Sequence, residues 1–251
     1  MDWRDEAVII GMARHGESAV VLEAFTRQHG RHKGYVYGAS SARRRGMIQP
    51  GNRVSIAWRG RLAESLGTFT LELLSPFAAA VMAEPGPLAA LRSLCAMLVR
   101  ALPEQDPHPG LYADVVAVLE TLAAAPPDDP LWAAAVARFE CRLLAELGYG
   151  LDLVHCAVTG ATQGLAFVSP KTGRAVTLEG AGEFRDRLLP LPQFLAGAPP
   201  ADWREIVEGL ALTGHFLDRF FAEHDGKPMP AEREHLLSLI AQKAARYGGA
   251  S

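Results

Sequence analysis

The chain has 251 residues, 49% of them hydrophobic and 21% charged, with a formal net charge of −3. That mixture describes an ordinary globular chain with room for one large core or two modest ones. Three scattered cysteines, Cys95, Cys141 and Cys156, argue against a disulfide framework; no apolar run spans a bilayer or reads as a leader, so a cytoplasmic protein without membrane association is expected.

The first 75 residues read as strands. Ala7–Ala13 and Ala19–Phe25 are β-branched runs bounded by His15-Gly16 and His29-Gly30, and Gly34–Gly38 is a third short run. Val54, Ile56 and Trp58 alternate with Ser55, Ala57 and Arg59, as Phe69, Leu71 and Leu73 do with Thr68, Thr70 and Glu72. A period of two marks half-buried strands, and Pro50-Gly51-Asn52 is a turn signal. Five strands without room for crossover helices predict a small antiparallel barrel of the OB-fold kind over residues 1–78.

After Pro76 the period becomes helical, and an α-helical domain over 79–251 makes the chain α+β. Apolar stripes run through Leu88–Leu98, Leu111–Leu122, Trp132–Leu147 and Trp203–Phe221, and a last helix through about Ala231–Arg246. Each has three-and-four spacing. Asp202 is a candidate cap for the fourth, with Glu205 three residues on. Residues 151–198, rich in Gly, Thr and Pro, read as an irregular insertion.

The near-neutral total charge hides a division. Through Ala78 there are 11 Lys+Arg and 7 Asp+Glu; the remainder holds 14 and 21. Between Arg14 and Arg61, ten basic residues face only Glu17 and Glu23. Such a region attracts polyanions, although charge alone is equally compatible with a solvated surface. The candidate phosphate contacts are Arg31 and Lys33 near a strand start, Arg43, Arg44 and Arg45 in a loop from Ala39 to Gly46, and Arg59 and Arg61 after the fourth strand. Such contacts are sequence-tolerant and weakened by salt. Tyr35, Tyr37 and Trp58 are interleaved with them, and for each both core packing and base stacking are open.

No phosphate-binding loop, dinucleotide fingerprint or Gly-x-Ser-x-Gly elbow is present, so neither a catalytic residue nor a cofactor is expected. His155 and Cys156 are adjacent, an arrangement that rarely turns two side chains toward each other, which leaves a thiol hydrolase little basis. Too few Cys/His ligands accompany them for a zinc site.

Several motifs resemble the RecO DNA repair proteins. They are Trp3-x-Asp5-Glu6-Ala7, His15-Gly16-Glu17, Phe25-Thr26-Arg27-x-His29-Gly30-Arg31, Gln49-Pro50-Gly51, Phe139-Glu140-x-x-Leu143-Leu144-x-x-Leu147-Gly148-Tyr149, Val168-Ser169-Pro170-Lys171-x-Gly173 and Gly226-Lys227-Pro228-Met229. The resemblance implies an OB-fold followed by a helical domain, in a non-enzymatic mediator of repair and recombination. It would bind single- and double-stranded DNA, anneal complementary strands and, with RecR, help load RecA onto DNA coated by single-strand-binding protein. The C-terminal tail of that coating protein would sit on the helical domain, with Lys227 one candidate contact. Many relatives also hold zinc through four cysteines. The matching positions here are Cys156, Thr159, Thr177 and Gly180, so no metal is expected and the insertion must be held by packing and hydrogen bonds. An OB-fold RNA-binding factor is the alternative, since barrel and charge would serve either polymer.

Overall fold

Five strands wrap the first core: β1 (Asp2–His15), β2 (Ala19–Thr26), β3 (Gly30–Tyr37), β4 (Arg53–Arg59) and β5 (Thr68–Ser75), in the closed order β1-β2-β3-β5-β4. The computed structural model describes residues 1–16, 19–39, 41–62, 65–200 and 202–247, with the backbone alone for Ala42 and Arg43. β1 serves two neighbours, pairing with β4 through Asp2–Val8 and with β2 through Ala7–His15, and its register shifts between Ile9 and Gly11. The expected barrel is present, but its closure is not antiparallel throughout. β3 and β5 run parallel and meet at the single pair Tyr35↔Thr68, where the Tyr35 amide donates to the Gly67 carbonyl at 3.0 Å.

Alternation fills the inside with Ala7, Ile9, Val20, Leu22, Ala24, Val36, Val54, Ile56, Trp58 and Phe69. Fully burying a side chain as large as Trp58 or Phe69 contributes roughly 2–3 kcal/mol. Gly34 makes room for this core: a Cβ there would lie 2.7 Å from the Phe69 ring. The segment after β3 differs from the expected loop, because Ala42–Met47 is a helix, α1. Both ends are capped. The Ser41 hydroxyl accepts from the Arg44 amide at 3.4 Å, and the Asn52 side chain donates to the Gly46 and Met47 carbonyls at 2.8 and 3.0 Å. These bonds satisfy groups a helix end leaves open.

Helices α2 (Phe77–Val81), α3 (Pro85–Ala101) and α4 (Pro109–Ala124) follow. Strand gives way to helix near Ala78, yet the first compact unit runs to Ala124. The outer side of β1 and β2 explains this: Val8, Ile10 and Phe25 point away from the barrel core and are buried, with α3 packed on β1 and the Phe25 ring 5.9 Å from that of Tyr112 on α4.

The second unit, Ala125–Ser251, contains α5 (Leu131–Glu146), α7 (Trp203–His224) and α8 (Ala231–Tyr247), with α7 packed on both of the others. Asp202 caps α7 by accepting from the Glu205 amide at 2.9 Å. The expected irregular insertion is partly ordered. It contains β6 (Leu165–Val168), β7 (Ala175–Thr177) and β8 (Leu189–Pro190) as a small sheet, and a one-turn helix α6 (Leu178–Ala181).

Between the three long helices lies a buried ion pair. Arg233 Nε and Nη2 donate to the Glu140 carboxylate at 2.7 and 2.9 Å, Nη2 also reaches the Leu210 carbonyl at 2.8 Å, and the Thr213 hydroxyl donates to Glu140. The two side chains are 3% and 2% exposed. Removing one partner leaves a buried charge alone, at about 3–5 kcal/mol, whereas replacing both with apolar groups is often neutral. Denaturant unfolding should therefore show Glu140→Ala destabilised by about 3–5 kcal/mol, and Glu140→Leu with Arg233→Met far less affected than that.

Candidate nucleic-acid interface

With β1 and β2 covered by α3 and α4, the rest of the barrel's outside carries the candidate surface. Pairing sets out a lateral row: Ala13 beside Val21, Val21 beside Tyr35, Tyr35 beside Thr68, Thr68 beside Arg59, and Arg59 beside Asp2. Tyr35 and Arg59 are thus two strand spacings apart, about 10 Å. The neighbouring row brings His15 beside Ala19 and Ala19 beside Tyr37. Tyr37 is 57% exposed and Tyr35 half-buried; their rings are 6.2 Å apart and stacked, and the His15 ring lies 4.9 Å from Tyr35. Trp58 belongs to the core, only 1% exposed, with its indole N–H donating to the Leu66 carbonyl at 3.2 Å.

The expected cations divide into two groups. Arg31 and Lys33 lie on the outward side of β3 but are engaged. The Arg31 guanidinium donates to Glu23 and, at 2.9 Å, to the Leu102 carbonyl, while Lys33 pairs with Glu104. The hydrogen bond from Lys33 holds the Glu104 carboxyl below its ordinary pKa. These two cations join β3 to the segment between α3 and α4, which removes them from the free basic surface. The reason is long-range: Glu104 is 71 residues from Lys33.

Arg44 and Arg45 sit in the last turn of α1. A helix turns successive residues by about 100°, so adjacent arginines cannot share one direction. Arg44 donates to the Tyr37 carbonyl and so ties α1 to the end of β3, whereas Arg45 is exposed. The side chain of Arg43 lies outside the described residues. Arg59 and Arg61 are exposed at the end of β4 and in the following loop.

Arg4 is a cation that the charge count did not single out. It is exposed on β1, beside Ala57, itself beside Thr70. With Asp2, Arg59, Thr68 and Thr70 it lines a surface cleft of about 600 Å³. The alternation Trp3 inward, Arg4 outward was the available signal. Among the described residues, no carboxylate pairs with Arg4, Arg45, Arg59 or Arg61.

Lys227 occupies the exposed link between α7 and α8, where its amide closes a turn by donating to Asp225 Oδ1 at 3.1 Å. Among the described residues there is no group of three or more His, Cys, Asp or Glu able to hold a metal, and no helix long and apolar enough to cross a membrane.

The engaged and free cations predict opposite phenotypes. Arg31→Ala, losing two charge-assisted bonds, should be destabilised by about 2–3 kcal/mol in denaturant unfolding. Its folded fraction should bind oligonucleotide within about twofold of the unaltered chain, since no phosphate contact is removed.

Two family models match the chain: Recombination protein O N terminal over residues 1–77 and Recombination protein O C terminal over residues 84–232. The DNA repair protein RecO of Cereibacter sphaeroides (strain KD131 / KCTC 12085) is 47% identical over 243 residues, covering 96% of this chain and 99% of the relative. That of Paracoccus denitrificans (strain Pd 1222) is 48% identical over 247 residues, 96% of each chain, and that of Methylocella silvestris 44% identical over 249 residues, 98% of each. With both family models matched in order and near-complete relatives well above 30% identity, the chain belongs to the RecO family of DNA repair proteins.

Proposed function

We propose that this protein binds DNA on the outer barrel surface around the β3–β5 seam, anneals complementary single strands there and acts without a catalytic residue or cofactor of its own. The observation that carries this reading is the set of exposed arginines without a carboxylate partner among the described residues, Arg4, Arg59 and Arg61, on the same barrel wall as the stack of half-buried Tyr35 on exposed Tyr37. Cations track the phosphate backbone, and rings with free faces stack on unpaired bases. Arg45 extends the basic surface from α1.

Annealing follows from the same chemistry. Basic groups screen the repulsion between two phosphate chains, and base pairing then drives the duplex. Burial pushes the thiols of Cys95 and Cys141 up to about 12, which supports a packing role for both. Beyond DNA, the reading places the protein in the cytoplasm with RecR, helping load RecA onto DNA coated by single-strand-binding protein. The tail of that coating protein then docks on the second unit, with Lys227 as a candidate contact.

An annealing assay with complementary oligonucleotides, without ATP, tests this reading. The protein should speed annealing, and Arg4→Ala with Arg59→Ala and Arg61→Ala should slow it while lowering the salt slope of single-strand binding by about 2, at roughly 0.7 per phosphate contact. An unchanged slope rejects the assigned surface. Stronger binding to RNA of the same sequence, lost with its 2′-hydroxyls, would turn the reading to an RNA-binding factor.

The aromatic stack has a separate signature. Tyr35→Ala with Tyr37→Ala should weaken single-strand binding by about 1–3 kcal/mol per lost base stack, with a much smaller effect on duplex, and phenylalanine at both positions should retain affinity. Equal losses on single strand and duplex would exclude stacking.

A further inference from the structure

The RecO resemblance implies a four-cysteine zinc site, but the matching residues do not supply its donors. Positions 156, 159, 177 and 180 hold one thiol, two neutral hydroxyls and a glycine. Structural zinc takes thiolates and imidazoles. Both hydroxyls are already engaged: Thr159 Oγ1 accepts from the Ala161 amide at 3.3 Å, and Thr177 Oγ1 accepts from the Gly180 amide at 3.0 Å, capping α6.

The four positions nevertheless converge on one sulfur. Cys156 Sγ accepts from the Thr159 amide at 3.4 Å and the Thr177 amide at 3.3 Å, and Thr177 Oγ1 lies 3.6 Å away. A Cβ at Gly180 would stand 3.3 Å from the same sulfur. Four sulfurs placed tetrahedrally at 2.3 Å from zinc would be about 3.8 Å apart, close to the 3.6 Å between Cys156 Sγ and Thr177 Oγ1. Cys156 is 1% exposed, and backbone bonds hold the loop around it: Cys156 N to Ala161 O at 2.8 Å, Gly160 N to Cys156 O at 2.9 Å and Ala157 N to Ala175 O at 2.8 Å. Burial pushes the thiol up, and the bonds from Thr159 and Thr177 more than reverse this, to about 6. The sulfur is thus an acceptor at the centre of the loop.

We infer that this loop folds without metal around the Cys156 sulfur, whose hydrogen bonds take the place of zinc ligation while keeping the ligand geometry, so that three thiols restored around it create a zinc site. The second unit then owes its insertion to a sulfur-centred hydrogen-bond set and is indifferent to chelators.

The test uses the full-length chain and three variants. The native protein should carry no stoichiometric zinc and melt at the same temperature with and without EDTA, while Cys156→Ala should lower the midpoint by about 3 °C, as expected for one lost interaction. Thr159→Cys with Thr177→Cys and Gly180→Cys should bind one Co²⁺ per chain with thiolate-to-cobalt charge-transfer absorption, and its melting should become EDTA-sensitive. Should that variant not fold, Gly180→Cys alone, treated with a mild oxidant, should give a disulfide with Cys156. Stoichiometric zinc in the native chain, or EDTA-sensitive melting, overturns the metal-free loop. A folded triple variant that takes no cobalt, or a single variant that forms no disulfide, overturns the retained geometry.

Discussion

The hydrogen bond from the Tyr35 amide to the Gly67 carbonyl, beside the single parallel pair Tyr35↔Thr68, closes the barrel. Nearly everything proposed for the first unit depends on that closure. It joins β3 and β5, the two outer strands of the run β3-β2-β1-β4-β5, into one continuous wall. Without it, Tyr35 and Thr68 lie on opposite edges of the sheet; with it, Thr68 is neighbour to both Tyr35 and Arg59. Closure also removes the exposed strand edges that would otherwise invite pairing with other chains.

A second constraint selects which part of the wall is free. Val8, Ile10 and Phe25 give β1 and β2 an apolar outer side, and α3 and α4 cover it. Arg31 and Lys33 are drawn into the same junction by Glu23 and Glu104. β3 therefore changes role along its length, from the basic ties Arg31 and Lys33 at its start to the rings of Tyr35 and Tyr37 at its end. Net charge describes this poorly, because what a polyanion meets is the set of cations left unpaired.

Much of the barrel was legible because strand alternation is a local signal: β4 and β5 are readable from Val54–Trp58 and Phe69–Leu73 alone. The helical stripes were legible for the same reason, at a period near four. What was not legible required distant partners. Arg31 and Lys33 look identical to free cations until the Leu102 carbonyl and Glu104, each 71 residues away, reach them. The helix α1 was hidden because its stabilising partners, Ser41 and Asn52, flank a segment of small and basic residues with no apolar stripe. The Phe139–Tyr149 motif was visible as a resemblance, but its physical reason, the Glu140–Arg233 pair, spans 93 residues. Arg4 and the ring of His15 became part of the candidate surface only once register placed them on it.

The seam account is tested most directly by mapping where a bound strand touches the protein. A single-stranded oligonucleotide carrying a photoreactive pyrimidine can be crosslinked to the full-length chain and the modified peptides identified by mass spectrometry. Crosslinks at Tyr35 and Tyr37, with further ones in the stretch from Arg59 to Thr68, are the predicted result. Crosslinks confined to residues 125–247, with β3 unmodified, would contradict it.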